Sequence, residues 1–241
     1  MKISVVVPAY NEERLLARSL QCIKESLIEF DKRGWESELI VCDNNSTDRT
    51  AEIAREAGAS VVFEPVNQIS RARNTGAACA TGEWLIFVDA DSFPSPELFD
   101  DVAAAIERGA CLGGGSTVRL ESERLDVRLW VAAWNALSRR ARWAAGSFVF
   151  CEAAAFRELG GFSEALYAGE EIELSRRLKR LARRQHREIV ILHRHPLRTS
   201  DRKARLYSWG ELLLFLLKTI ARGGRTLRSR EECFTWYDGR R

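Results

Sequence analysis

With 241 residues, 46% of them hydrophobic and 29% charged, the chain suits one large globular domain and needs no disulfide staples. Its 37 basic and 34 acidic side chains leave a net charge of only +3, too small by itself to argue for nucleic acid, and none is expected as a partner. Six cysteines without a CxxC pair exclude a thiolate metal site and point to a reducing cytoplasm.

Ile3-Ser4-Val5-Val6-Val7 is a β-branched run that predicts a strand buried on both faces, and it is too short for a signal peptide. Apolar residues at three- and four-residue spacing predict a helix over residues 14–30. A second strand is expected at 39–42. It ends in Asp43-Asn44-Asn45-Ser46-Thr47-Asp48, where Ser46 or Thr47 can cap a helix running to Ala57. A third strand at 60–63, a helix at 70–80 and a fourth strand at 84–88 follow. Repeated β–α units with short loops predict an α/β, doubly wound, mostly parallel sheet that binds ligands at the carboxyl ends of its strands.

The second half is less regular. Helices are expected at 96–107, 125–138, 152–159 and 170–181, and strands at 111–120, 147–151 and 189–192. The first of these strands is interrupted by Gly113-Gly114-Gly115, and the last is read as an edge. A final helix over 205–220 carries the apolar run 212–217, far short of the roughly 20 residues a membrane helix needs. No linker divides the chain. One domain is expected, with a nucleotide-sugar-binding half at 1–92 and an acceptor-side half with the C-terminal helix at 93–241.

The sharpest local signal is Asp89-Ala90-Asp91 after the apolar strand Trp84-Leu85-Ile86-Phe87-Val88. Alternate residues of an extended chain point the same way, so both carboxylates can converge on one ligand. Such a pair is costly beside a hydrophobic strand unless a cation neutralises it, and hard oxygen donors suit Mg²⁺ or Mn²⁺. A solvated loop is the plainer alternative.

In order along the chain stand Val7-Pro8-Ala9-Tyr10-Asn11-Glu12-Glu13, the 43–48 segment, Arg71-Ala72-Arg73-Asn74-Thr75-Gly76-Ala77, Asp89-Ala90-Asp91, Gly160-Gly161-Phe162 and Gly169-Glu170-Glu171. Together they resemble the family 2 inverting glycosyltransferases of GT-A fold, over residues 3 to about 180. Arg198-Thr199-Ser200-Asp201-Arg202 looks like a Thr-Ser-x-Arg segment of some members. The resemblance implies that Pro8, Ala9 and Glu12 line a nucleoside pocket, with Tyr10, Asn74 and Ala90 beside them. It implies Asp43 on the base and Arg71 near the base or diphosphate. Asp89 would sit on the ribose or a metal-bound water, and Asp91 on the metal. It also implies a base at the start of the helix at 170. The family's usual Glu-Asp is here Glu170-Glu171, so Glu171 takes the base role and Glu170 becomes its positioning neighbour. Helix capping for Asp43, and an exposed helix position for Arg71, stay open as alternatives.

His195, or less so His193, follows the strand at 189–192 and is a candidate third metal ligand. Trp130 and Trp134 share a helix face, and Trp134 is the candidate to stack on an acceptor sugar, with core packing as the alternative. The expected partners are a nucleotide-sugar donor and a saccharide, lipid or small-molecule acceptor. The basic C-terminal third (Arg176, Arg177, Lys179, Arg180, Arg183 and Arg184, then Arg222, Arg225, Arg228 and Arg230) reads as a solvated face or as a contact with the inner face of a membrane. The run at 212–217 reads as packing on the sheet or on a second subunit of a homodimer. Two other readings are a non-catalytic sugar-nucleotide-binding or scaffolding relative, and a nucleotidyltransferase. The acidic, glycine-free loop at 8–13 is a poor triphosphate cradle and disfavours the latter.

Overall fold

The computed structural model describes residues 1–202, 218–219, 222–233 and 237. The expected final helix, with the run at 212–217, lies outside them apart from 218–219. One sheet of eight strands has the order β3-β2-β1-β4-β7-β6-β8-β5. Its first half is parallel: β1 (Lys2–Ala9) lies between β2 (Glu36–Asp43) and β4 (Trp84–Val88), and β3 (Ser60–Phe63) adds to β2. Then β7 (Phe148–Glu152) runs antiparallel to β4, and β6 (Cys111–Leu120) antiparallel to β7. β8 (Glu188–Thr199) is parallel to β6, and the two-residue β5 (Ser92–Phe93) is antiparallel to β8.

Period-two alternation sends successive side chains of the central strands into two cores. Val5, Val7, Ile86 and Val88 join Leu20 and Phe30 of α1 (Leu16–Asp31) and Phe99 and Val102 of α4 (Pro96–Glu107). Val6, Leu85 and Phe87 join Phe156 of α6 (Ala153–Glu158), Phe162, and Leu174 and Leu178 of α7 (Glu170–Arg184). Both faces of the central strands are therefore dry, as their unbroken apolar sequence predicts.

Three local expectations are corrected. The β8 strand is no edge, because it is twelve residues long and sits between β6 and β5. The glycine run does not interrupt β6: a Cβ on Gly114 would collide with the Val190 backbone of β8, so the close strand approach needs glycine there. Neither Ser46 nor Thr47 caps α2 (Thr50–Glu56); Thr50 donates its N–H to Asp48 Oδ1 at 2.9 Å instead. Helix α5 (Leu125–Ala141) packs Val127 and Val131 inward and leaves Leu129 and Trp130 exposed. Among the described residues no helix is long and apolar enough to cross a membrane.

Candidate active site

A cleft opens at the carboxyl ends of β1 and β4. Pro8, Ala9, Tyr10 and Glu12 line it together with Asp89, Ala90 and Asp91. Asn44, Asn67, Ile69, Arg202 and Tyr237 complete it without having been assigned a role. Asn44 brings two of these in. Its Nδ2 donates to Glu64 O (3.1 Å) and Val66 O (2.6 Å), and its Oδ1 accepts from Gln68 N (2.9 Å), which folds the β3–α3 loop over the end of β2. The helix that follows is α3 (Ile69–Ala78). Tyr237 is placed by Ile69, whose N–H donates to its hydroxyl at 3.2 Å, and by an edge contact with Tyr167 at 5.5 Å.

Asp91 is held from across the chain. Pairing of β5 with the end of β8 puts Ser200 beside it, and the Ser200 hydroxyl donates to Asp91 Oδ2 at 2.7 Å. Arg202 grips Glu12 with two bonds of 2.8 and 2.6 Å and approaches the same Asp91 oxygen at 3.4 Å. The bonds to Glu12 hold the Arg202 guanidinium above its usual pKa despite its burial. Asp89 is held by Arg73 at 2.8 Å. Each aspartate thus keeps one carboxylate oxygen without a partner among the described residues.

Arg73 is only 2% exposed. It donates to Glu170 Oε1 (2.7 Å), Asp89 Oδ1 (2.8 Å) and Gly146 O (2.7 Å), and its guanidinium lies 5.1 Å from the Phe162 ring centre. Burial alone would lower its pKa, but the carboxylates of Asp89, Glu170 and Glu171 outweigh it and raise it. Glu170 is thereby neutralised. Glu171, its neighbour, packs against Gly146, where an added Cβ would stand 3.2 Å from the carboxyl carbon. Burial, then the charge of Glu170, pushes the Glu171 carboxyl up to about 8, with Arg73 opposing and Asp89 adding.

Seven expected site residues do not line the cleft: Glu170, which is bonded to Arg73, its neighbour Glu171, and five others. Asn74 spends its amide on the Gly160-Gly161-Phe162 turn: Nδ2 donates to Phe162 O and Oδ1 accepts from Phe162 N, both at 2.9 Å. Asn74→Ala should therefore cost about 1–3 kcal/mol in thermal unfolding, by orphaning those groups, while leaving ligand affinity unchanged. Arg71 is drawn off by Glu64 (3.2 Å) and Glu164 (2.8 Å). Asp43 turns its Oδ1 back to accept from Ser46 N at 3.1 Å. His195 faces Asp101 of α4 at 3.0 Å and does not line the cleft, because its stretch of β8 lies beside α4. Trp134 is half-buried on α5, which packs on β6 rather than on the cleft.

Arg73 was legible in principle. On α3 it falls on the same face as Ser70, Gly76 and Ala77, a stripe of small residues directed at the sheet. A cation at such a position demands buried carboxylates.

The family model for glycosyl transferase family 2 matches residues 4–158. The dolichol-phosphate mannosyltransferase of Pyrococcus furiosus is 32% identical over 124 residues, covering 48% of this chain and 33% of that protein. The poly(ribitol-phosphate) beta-N-acetylglucosaminyltransferase TarS of Staphylococcus aureus is 33% identical over 114 residues, covering 44% of this chain and 19% of that one. The matched stretch is thus a third or less of these relatives' length. Among solved structures, glucosyl-3-phosphoglycerate synthase of Mycobacterium tuberculosis, in complex with Mn²⁺, UDP and glucosyl-3-phosphoglycerate, superposes with a TM-score of 0.64. It is 20% identical, over 98% of this chain and 80% of that one. The mannosyltransferase PcManGT of Pyrobaculum calidifontis, in complex with GDP-Man and Mn²⁺, gives 0.62 at 21% identity, over 81% and 56%. The shared architecture is the GT-A fold.

Proposed function

Because the chain belongs to glycosyl transferase family 2, we propose that it moves a sugar from a nucleotide-diphosphate sugar to an acceptor hydroxyl, with inversion at the anomeric carbon. The observation that carries this reading is the cleft itself, which Asp89 and Asp91, each with one oxygen unpartnered among the described residues, line together with Pro8, Ala9 and Tyr10. Residues 1–92 then serve the donor and the chain from residue 93 the acceptor, which is a saccharide, a lipid or a small molecule. Six free thiols support the cytoplasm as the compartment.

The donor set fits Mg²⁺ or Mn²⁺: two hard carboxylate oxygens, both available. Among the described residues no group of three or more His, Cys, Asp or Glu side chains is placed to hold a metal ion, so Asp89 and Asp91 are the pair that would hold it. When bound, the cation offsets the charge that grows on the departing diphosphate. Ser200 and Arg202 orient Asp91, Arg73 orients Asp89, and Asn44 sets the wall against the base. Glu171 takes the proton of the acceptor hydroxyl, while Glu170, bonded to Arg73 at 2.7 Å, positions it.

Calorimetry against UDP-, GDP- and TDP-sugars, with and without Mn²⁺, tests the reading: one donor should bind, and more tightly with metal. Asp91→Asn should weaken that metal-dependent part by on the order of 100-fold, since outer-sphere changes alone cost about 10–100-fold. Unchanged binding in the variant would remove Asp91 from the metal, and no binding of any sugar nucleotide would return the chain to a non-catalytic role.

A further inference from the structure

A second cavity opens between the C-terminal end of α5, the last turns of α7 and the start of β8. Its wall carries Arg140, Arg142, Lys179, Arg183 and Arg187 against one carboxylate, Glu188. Arg142 pairs with Glu188 at 3.0 Å, and Arg187 with Glu152 at 2.7 Å. Lys179 reaches only a neutral carbonyl, Ala141 O, at 2.9 Å. Arg140 and Arg183 have no hydrogen-bond or ion-pair partner among the described residues. Arg187 in addition keeps a buried Nε–H without a partner among them.

Five cations against two carboxylates leave an excess of positive charge around one concave space. Low-dielectric walls focus that field, and the charges repel one another until an anion enters. Guanidinium groups match phosphate oxygens two at a time, so arginine dominance selects phosphate over a halide or a single carboxylate. We propose that this cavity is a binding site for phosphate groups, fitted to a ligand of about three negative charges such as a diphosphate. It is separate from the donor cleft. Glu188 opens β8 at the cavity and Thr199 closes it beside Asp91, and twelve strand residues separate the two sites by roughly 35 Å.

Inorganic pyrophosphate, titrated into the full chain in EDTA, is the probe. Without metal the acidic cleft of Glu12, Asp89 and Asp91 repels it, so the heat reports the basic cavity. Wild type should bind, and Arg140→Ser/Arg183→Ser should bind at least about tenfold more weakly, having lost two charge-assisted contacts. Those arginines have no partner to orphan, so the melting temperature should not fall. Arg225→Ser/Arg228→Ser removes equal charge from exposed positions outside the cavity and should bind as wild type does. A parallel arm uses vesicles of phosphatidylglycerol with phosphatidylcholine. Retention there that the cavity variant loses, with no pyrophosphate binding, assigns the phosphate to a lipid headgroup; loss in the soluble arm assigns it to a free ligand. The site is overturned if wild type binds in neither arm, if the cavity variant matches wild type, or if the exposed pair loses as much.

Discussion

Glu171→Gln should keep donor affinity and lose transfer by about 10²–10⁴-fold, the range that a positioned proton acceptor contributes. The substitution is nearly isosteric and removes only the basic oxygen, so a fall in kcat without a matching rise in donor Kd separates chemistry from binding. The pH profile gives a second readout. Burial and the adjoining Glu170 charge hold the Glu171 carboxyl near 8, above its usual range, so its proton is retained at neutral pH. Ionisation is needed for it to act as a base. Transfer should accordingly rise with pH through an acid limb well above the ordinary glutamate value of about 4.3. The same shift makes Glu171 a stability cost on the alkaline side, because the folded state binds its proton more tightly than the unfolded chain does. A limb in the ordinary carboxylate range, or full transfer by Glu171→Gln, would move the base elsewhere, with Glu170 the first alternative.

Arg73→Met should unfold the protein more readily than any other single change proposed. Methionine keeps the apolar stem but strands Asp89 and Glu170, which lose bonds of 2.8 and 2.7 Å to a guanidinium almost sealed from water. Breaking a buried ion pair from one side costs about 3–5 kcal/mol. In a chain of this size that lowers the melting temperature by on the order of 10 °C. Differential scanning calorimetry would show it. Wild-type stability at neutral pH would mean that the two carboxylates find other cations. Arg73→Lys, with charge but no fork, should recover only part of the loss.

These two residues mark where one-dimensional reading stops. Glu171 was reached because Gly169-Glu170-Glu171 resembles the family's acidic pair at a helix start, a signal contained in a few neighbouring residues. Its raised pKa was not, since helix position and like-charge crowding pull opposite ways, and only the packing of Gly146 and Glu170 decides between them. Arg73 was quoted in a matching segment without a task, because its partners lie 16 and 97 residues away.

The alternation of strands and helices through β4, the dry central sheet and the acidic pair at the end of β4 were legible in the sequence, whereas β5 and the length of β8 were not. Each depends on the side-chain period within one short segment, and a strand buried on both faces has no other apolar solution. Tertiary structure alone decided which polar side chains stay available for a ligand. Arg71, Asn74 and His195 are chemically able to bind one, yet Glu64 and Glu164, the Phe162 backbone and Asp101 respectively claim them first. Ser200 and Arg202 reach Asp91 because β5 pairs with β8 across more than a hundred residues. A polar group bonds the nearest good partner in space, and that partner is set by packing rather than by proximity along the chain.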